Sequence, residues 1–256
     1  MTDPALLVVQ HEADTGPGWF AGWLADSGLR LDIAHPYRGE LLPDLDGYEG
    51  LLVLGGAMGP ADDDRCPWLP GTRALMAGAV ERGLPALGIC LGGELLALAC
   101  GGTVARGRQG PELGVLPFQL RPEAASDPLF SVLPPTAAVL QWHWEEIAQL
   151  PLGAVWLGAS GAYPHQAFRI GAAAWGVQGH PEVTADIAAA WAREDSPLLL
   201  EAGRDPASLV AEVRNAEAML VETWRPLAGR FASVIRERHG RGLTGTTVGT
   251  RDGGAA

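Results

Sequence analysis

Lysine is missing from this chain of 256 residues: all 18 basic side chains are arginine. That excludes chemistry built on a lysine, such as a Schiff base or the phosphate clamp of a P-loop. Cysteine is scarce. Cys66, Cys90 and Cys100 are the whole set, and no two of them have CxxC spacing. An odd, sparse set speaks for a reducing compartment and against a disulfide framework. No apolar run approaches the roughly 18–20 residues of a membrane span. The first residues, MTDPALLVVQHEADTG, lack the basic start of a secretory signal. Positive charge is short as well: 30 acidic against 18 basic residues give a net charge of −12. This argues against nucleic acid or an anionic membrane as the main partner. Hydrophobic residues make up 47% of the chain, enough to bury a sizeable core and to exclude general disorder. The expectation is an acidic, globular, cytoplasmic protein.

What is present is an alternation of short apolar runs with helical patterns. Leu6–Gln10, Arg30–Ala34, Gly50–Leu54 and Pro85–Ile89 read as strands. Between them, 18–26 carries Trp19, Phe20, Trp23 and Leu24 at helical spacing, and 72–82 reads as a helix stopped by Gly83. Leu91–Cys100 reads as a helix stopped by Gly101 and Gly102. Strands and helices alternating at this spacing predict a parallel sheet covered on both faces. The second half offers strands at 115–120, 138–141, 155–157, 166–170 and 173–177, separated by Pro and Gly turns. They read as a more antiparallel extension of the same sheet. The chain turns helical from Thr184, and 208–239 holds one or two amphipathic helices with Ser208 as an N-cap. The expected fold is a three-layer α/β domain, flavodoxin-like, around a mixed but mostly parallel sheet. Residues 1–183 form its main body and 184–239 a helical extension packed on it. The tail 240–256, with almost no large apolar residue, is expected to be disordered.

Chemistry is concentrated at the end of the fourth strand. Leu87–Glu94 reads LGICLGGE, with Cys90 between Gly88 and Gly92. This is the nucleophile-elbow pattern GxSxG with cysteine in place of serine. A sharp strand-to-helix turn leaves no room for side chains at the flanking positions. It also puts the sulfur at the positive end of the next helix, which favours thiolate over thiol. Taken alone, the pattern more often marks a buried structural cysteine in a glycine-rich loop. Further on, Gly179–Glu182 reads GHPE after an apolar run. His180 as a base with Glu182 as its orienting acid would complete a Cys–His–Glu triad, although His-Pro also marks ordinary turns. A third segment, GGAMGP at 55–60, follows the third strand. A glycine loop there can turn a backbone amide inward and, with the amide of Leu91, form an oxyanion hole.

In this order, the three segments resemble the class I glutamine amidotransferase family. The closest likeness is to free-standing members similar to the glutaminase half of GMP synthase. The resemblance runs from Leu6 to Thr184 and takes in DRCPWL at 64–69, Gly101-Gly102, VLQWH at 139–143 and QAFR at 166–169. It implies Cys90 as nucleophile, His180 as general base, Glu182 as its orienter, and Gly56 and Leu91 as oxyanion donors. It also implies that Gln141, Trp142, His143, Trp144 and Glu145 help to hold the amino and carboxylate groups of glutamine. No metal or cofactor is implied. One position departs from the family pattern GxCxGxQ: the last residue is Glu94. In the family it lies beside the bound amino acid. A carboxylate there accepts from the substrate ammonium and repels the α-carboxylate. Glutamate at this place also occurs in folate-type γ-glutamyl hydrolases. The alternative is a Glu94 that faces the helix surface.

Three functions follow. The first is a glutaminase that passes ammonia to a separate synthase or ligase subunit. The second is a stand-alone γ-glutamyl amide or peptide hydrolase, favoured by Glu94. The third is a catalytically silent binding protein, disfavoured by an intact triad. Arg169 is the candidate donor for a substrate carboxylate. His143 reads as structural or pocket-lining, His11 as a loop residue, Cys66 and Cys100 as structural, and Asp62–Asp64 as a solvated loop. Trp191 and Trp224 are candidates for a partner surface.

Overall fold

The structure, a computed structural model, describes residues 3–245. The chain runs β1 (Ala5–Val9), α1 (Gly18–Asp26), β2 (Arg30–Ala34), β3 (Gly50–Val53), α2 (Leu69–Glu81), β4 (Ala86–Ile89) and α3 (Leu91–Ala99). It continues with β5 (Thr103–Arg106), β6 (Glu112–Leu120), β7 (Thr136–His143), β8 (Glu145–Gln149), β9 (Val155–Ala159), β10 (Ala167–Ile170) and β11 (Ala174–Val177). It closes with α4 (Ala185–Glu194), α5 (Ser196–Glu201) and α6 (Pro206–Gly245).

A strand apolar at every position must be covered on both faces. β1 is such a strand, and all five of its residues are buried. Leu6 and Val8 face α1 and α6, packing with Phe20, Trp23, Trp224 and Phe231. Leu7 and Val9 face α2 and α3, packing with Met76, Ala79 and Leu95. Each large side chain so buried contributes roughly 1.5–3 kcal/mol. The sheet order is β2-β1-β3-β4-β11-β10-β9-β6-β7. Its first five strands are parallel. The remaining pairings are antiparallel. This is the expected three-layer fold with an antiparallel extension.

Two elements went unseen in the sequence. β5 and β8 pair only with each other, as a separate ribbon. Their sequences, TVAR and EEIAQ, are short and largely polar, so no apolar run announces them. α6 is one 40-residue helix that continues through Pro226. Its cap is Asp205 rather than Ser208: Asp205 Oδ2 accepts from the Ser208 amide at 2.8 Å and from its hydroxyl at 2.7 Å. α6 extends to Gly245, and residues 246–256 of the expected tail lie outside the described residues. Trp224 is no partner surface. It is fully buried, meets Phe118 edge-on, and its indole donates to Ala138 O at 2.8 Å. Among the described residues no helix is long and apolar enough to cross a membrane.

Candidate active site

β4 turns into α3 at Cys90, the only non-glycine residue with positive φ among those described (φ +50°, ψ −110°). Such a conformation costs on the order of 1–3 kcal/mol and persists only where the surroundings enforce it. The flanking glycines do so. A Cβ on Gly88 would lie 2.3 Å from Gly92 O, and one on Gly92 would lie 2.1 Å from Val53 O. The Cys90 amide donates to Val177 O at 2.7 Å, which ties the elbow to β11.

β11 delivers the second group. Just beyond it the His180 amide donates to Leu140 O at 2.7 Å. The imidazole Nδ1 lies 2.9 Å from Glu182 Oε1, with both side chains buried. Glu182 is seated from outside the sheet: the Trp19 amide at the start of α1 donates to its carbonyl at 2.8 Å. With Nδ1 bonded to the carboxylate, Nε2 is left to act as base. Trp191 of α4 stands edge-on to the imidazole at 4.8 Å. A Cβ on Gly55 would lie 2.9 Å from His180 Cε1 and 3.7 Å from Cys90 Cβ, so glycine loop, imidazole and sulfur-bearing residue meet at one point.

There a cavity of about 140 Å³ opens to solvent. Cys90, His180, Gly56 and Glu94 line it, together with Trp142, His143, Trp144 and Glu145. Burial pushes the thiol of Cys90 well up, the nearby Glu94 and Glu182 carboxylates push it further, and the Leu91 amide alone pulls it down. This corrects the expected thiolate: desolvation outweighs the helix N-terminus.

The model of the class-I glutamine amidotransferase family matches residues 27–190. The chain belongs to that family. A glutamine amidotransferase-like protein of Salmonella typhimurium, YfeJ, is 29% identical over 85% of this chain and 93% of its own length. Gamma-glutamyl peptidase 4 of Arabidopsis thaliana is 30% identical over 66% of this chain and 68% of its own. Among solved structures, a glutamine amidotransferase from Thermotoga maritima superposes with a TM-score of 0.81 at 27% identity, covering 91% of this chain and 99% of that one.

Against the glutamine amidotransferase pattern, Glu94 is the informative residue. It does not face the helix surface: it is 3% exposed and lines the cavity. Its Oε1 accepts from Gln178 Nε2 at 2.8 Å, and the same amide approaches Cys90 Sγ at 3.9 Å. Burial raises the Glu94 carboxyl from 4.5 to about 7, against the lowering effect of the Gln178 bond. The folded chain therefore holds this proton more tightly than the unfolded chain. Its contribution to stability is fully present below pH 4.5 and is lost as pH rises through about 7. Glu94→Gln keeps the Gln178 bond and removes the titration. The melting temperature of the wild type should fall relative to the variant between about pH 5 and about pH 8, by an amount equivalent to about 3 kcal/mol. Parallel melting curves across that range would contradict it.

Two expected binding residues stand elsewhere. Gln141 does not reach the cavity. Its side chain lies behind the wall and donates to Gln166 Oε1 at 2.7 Å. Gln166 in turn donates to Glu112 Oε2 at 2.7 Å, and Glu112 meets His143 Nε2 at 3.2 Å. This buried chain fixes the wall segment from behind. Leu91 turns its side chain into the core and offers only its amide. Arg169 is no substrate ligand, because it is held by Asp127 at 2.8 Å. Trp191 is not a partner surface but a cavity wall. His11 is buried and accepts from the Trp68 indole at 3.0 Å, and burial lowers it to about 4, so it stays neutral. Asp62 and Asp63 brace their own loop, on the Gly59 amide and on Arg73. Glu12, placed by the sequence at the sheet edge where ligands bind, lines the cavity, and the sequence reading missed Asp14, Glu194 and Asp195, which line it too. No local pattern marks them, since the fold brings together a loop after β1 and the joint between α4 and α5.

Proposed function

We propose that the chain is a cysteine hydrolase of γ-glutamyl amides, with Cys90, His180 and Glu182 as its triad. The observation that carries this reading is the strained elbow at Cys90, facing a cavity beside a buried His180–Glu182 pair. The γ-carbonyl carbon accepts the sulfur of Cys90 as His180 Nε2 takes the thiol proton. Because burial keeps the resting sulfur protonated, transfer accompanies attack. The amides of Gly56 and Leu91 hold the oxyanion. His180 returns its proton to the leaving nitrogen, the C–N bond breaks, and a γ-glutamyl thioester remains. Water, deprotonated by His180, then attacks the thioester. Glutamate leaves and the thiol is restored.

In this reading residues 1–183 carry the chemistry and 184–239 pack on the same body. The three unpaired cysteines support a cytoplasmic setting. Delivery of ammonia to a synthase partner draws on the family. Stand-alone hydrolysis draws on the cavity, where Glu94 stands in the family's glutamine position. A chloroketone analogue of glutamine should label Cys90 and spare Cys66 and Cys100, as read by peptide mass mapping. Labelling at either of the other two would overturn the assignment.

A further inference from the structure

The cavity has a one-sided charge. Six of the side chains that line it are carboxylates, and no arginine lines it. They fall into two groups. Glu94 and Glu145 lie close to Cys90, and their fields act on its thiol. Glu12, Asp14, Glu194 and Asp195 form an outer wall where the β1–α1 loop meets the joint of α4 and α5, and the last three all act on Glu12. Glu145 has an ion-pair partner in the exposed Arg106 at 3.2 Å. The other five have none among the described residues.

Like charges gathered without a counterion repel one another, and a positive ligand relieves that repulsion. An independent feature points the same way. Glu94 is almost wholly buried, and its single protein partner, Gln178, takes Oε1 only. The second oxygen is left to the cavity. Indoles complete the lining: Trp142 and Trp191 add the aromatic surface that favours a desolvated ammonium, while Trp144 already faces the Arg106 guanidinium at 6.0 Å.

We propose that the amide cleaved here joins a γ-glutamyl group to an amine carrying a second positive charge, as an α,ω-diamine does. This rests on the hydrolase reading above and names the substrate class of that site. Glu94 receives the α-ammonium of the glutamyl group, and the outer wall receives the distal ammonium of the leaving amine. Water adds across the amide bond: the carbonyl carbon leaves as glutamate and the nitrogen as the free diamine, with no oxidant or second substrate.

The test uses three γ-glutamyl amides that share a four-carbon amine chain, made from 1,4-diaminobutane, butylamine and 4-aminobutanoate. Their far ends are positive, neutral and negative. Glutamine is the fourth substrate, and kcat/KM for glutamate release is read on the whole chain. The diamine amide should exceed the butylamide by about tenfold or more, and the carboxylate-ended amide by more again, with gaps that narrow as salt is added. Asp14 and Glu194 make no side-chain hydrogen bond among the described residues, so Asp14→Asn with Glu194→Gln changes charge with little else. Melting curves check that this variant is folded, and in it the preference for the diamine amide over the butylamide should shrink severalfold. Equal rates for the three amides, a preference for the negative end, or an undiminished preference in the folded variant would overturn the inference and leave the hydrolase reading standing. Release from glutamine alone would do the same. Release from none of the four, with Cys90 unlabelled by the chloroketone, would overturn both.

Discussion

Replacing Cys90 by alanine should lower glutamate release from a γ-glutamyl amide by a factor on the order of 10⁴ or more, the scale of loss when a triad nucleophile is removed. His180→Ala should follow closely, with a loss in kcat of at least about a hundredfold. Glu182→Gln should cost less, because Gln can still occupy the site 2.9 Å from Nδ1 while losing the charge that steadies the imidazolium. The decisive comparison is the double variant. If His180 and Glu182 work as one unit, removing both should be little worse than His180→Ala alone. Steady-state rates for the four variants check this, and strictly additive losses would separate the two residues.

The second large effect is structural. Gly92→Ala would place a methyl carbon 2.1 Å from the carbonyl oxygen of Val53 and 2.8 Å from its carbon. Both atoms belong to the backbone of β3, which is held in the sheet and cannot rotate aside as a flexible side chain could. The first turn of α3 must lift instead, carrying the elbow with it. A loss on the order of 3 kcal/mol is expected, or roughly 6–12 °C in Tm. Gly22 supplies the contrast. It lies within α1, and a methyl added there would have nothing within 4 Å, so the same change should raise stability by about 0.5–1 kcal/mol. Thermal melting of the two single variants compares them directly, and similar shifts of one sign would contradict the steric account.

The parts legible in the sequence were those written locally. Gly88, Cys90 and Gly92 constrain one another within five residues, so the elbow could be read without knowing the fold. The His180–Glu182 pair, two residues apart after an apolar run, was legible for the same reason. The outer acid wall was not. Asp14 and Glu194, 180 residues apart in the chain, line one cavity where the Trp191 indole donates to the Asp14 carbonyl at 3.1 Å. Trp191 and Trp224 showed how little an apolar helix residue says about its cover: each is closed off by the same chain, one over the imidazole and one against Phe118. Gln141 failed because its amide is spent on a buried partner, Gln166, 25 residues further along the chain, which keeps the glutamine behind the wall. Arg169 was chosen by charge alone, and Asp127, 42 residues earlier, had already claimed it.

The helix α6 has a consequence for how this protein can change over generations. Its 40 residues span about 60 Å. Near its start Leu209 and Val213 pack with Ala188 and Trp191 of α4, and Glu217 accepts from the Ala185 amide at 3.0 Å. Further along, Trp224 and Phe231 are sunk into the face of the sheet. Glu194 and Asp195 therefore hang from a strut, whereas Cys90 and His180 are rooted in adjacent strands of the sheet. In the reading proposed above, substitutions at Glu194 and Asp195 would redraw the outer wall while Cys90 and His180 stay where the sheet holds them; Trp191, which stands against the imidazole, would be the exception on α4. If the outer wall sets the choice of amine, that part of selectivity rests on the α4–α5 joint and not on the strands that carry Cys90 and His180, so a lineage could exchange it while keeping the strands unaltered.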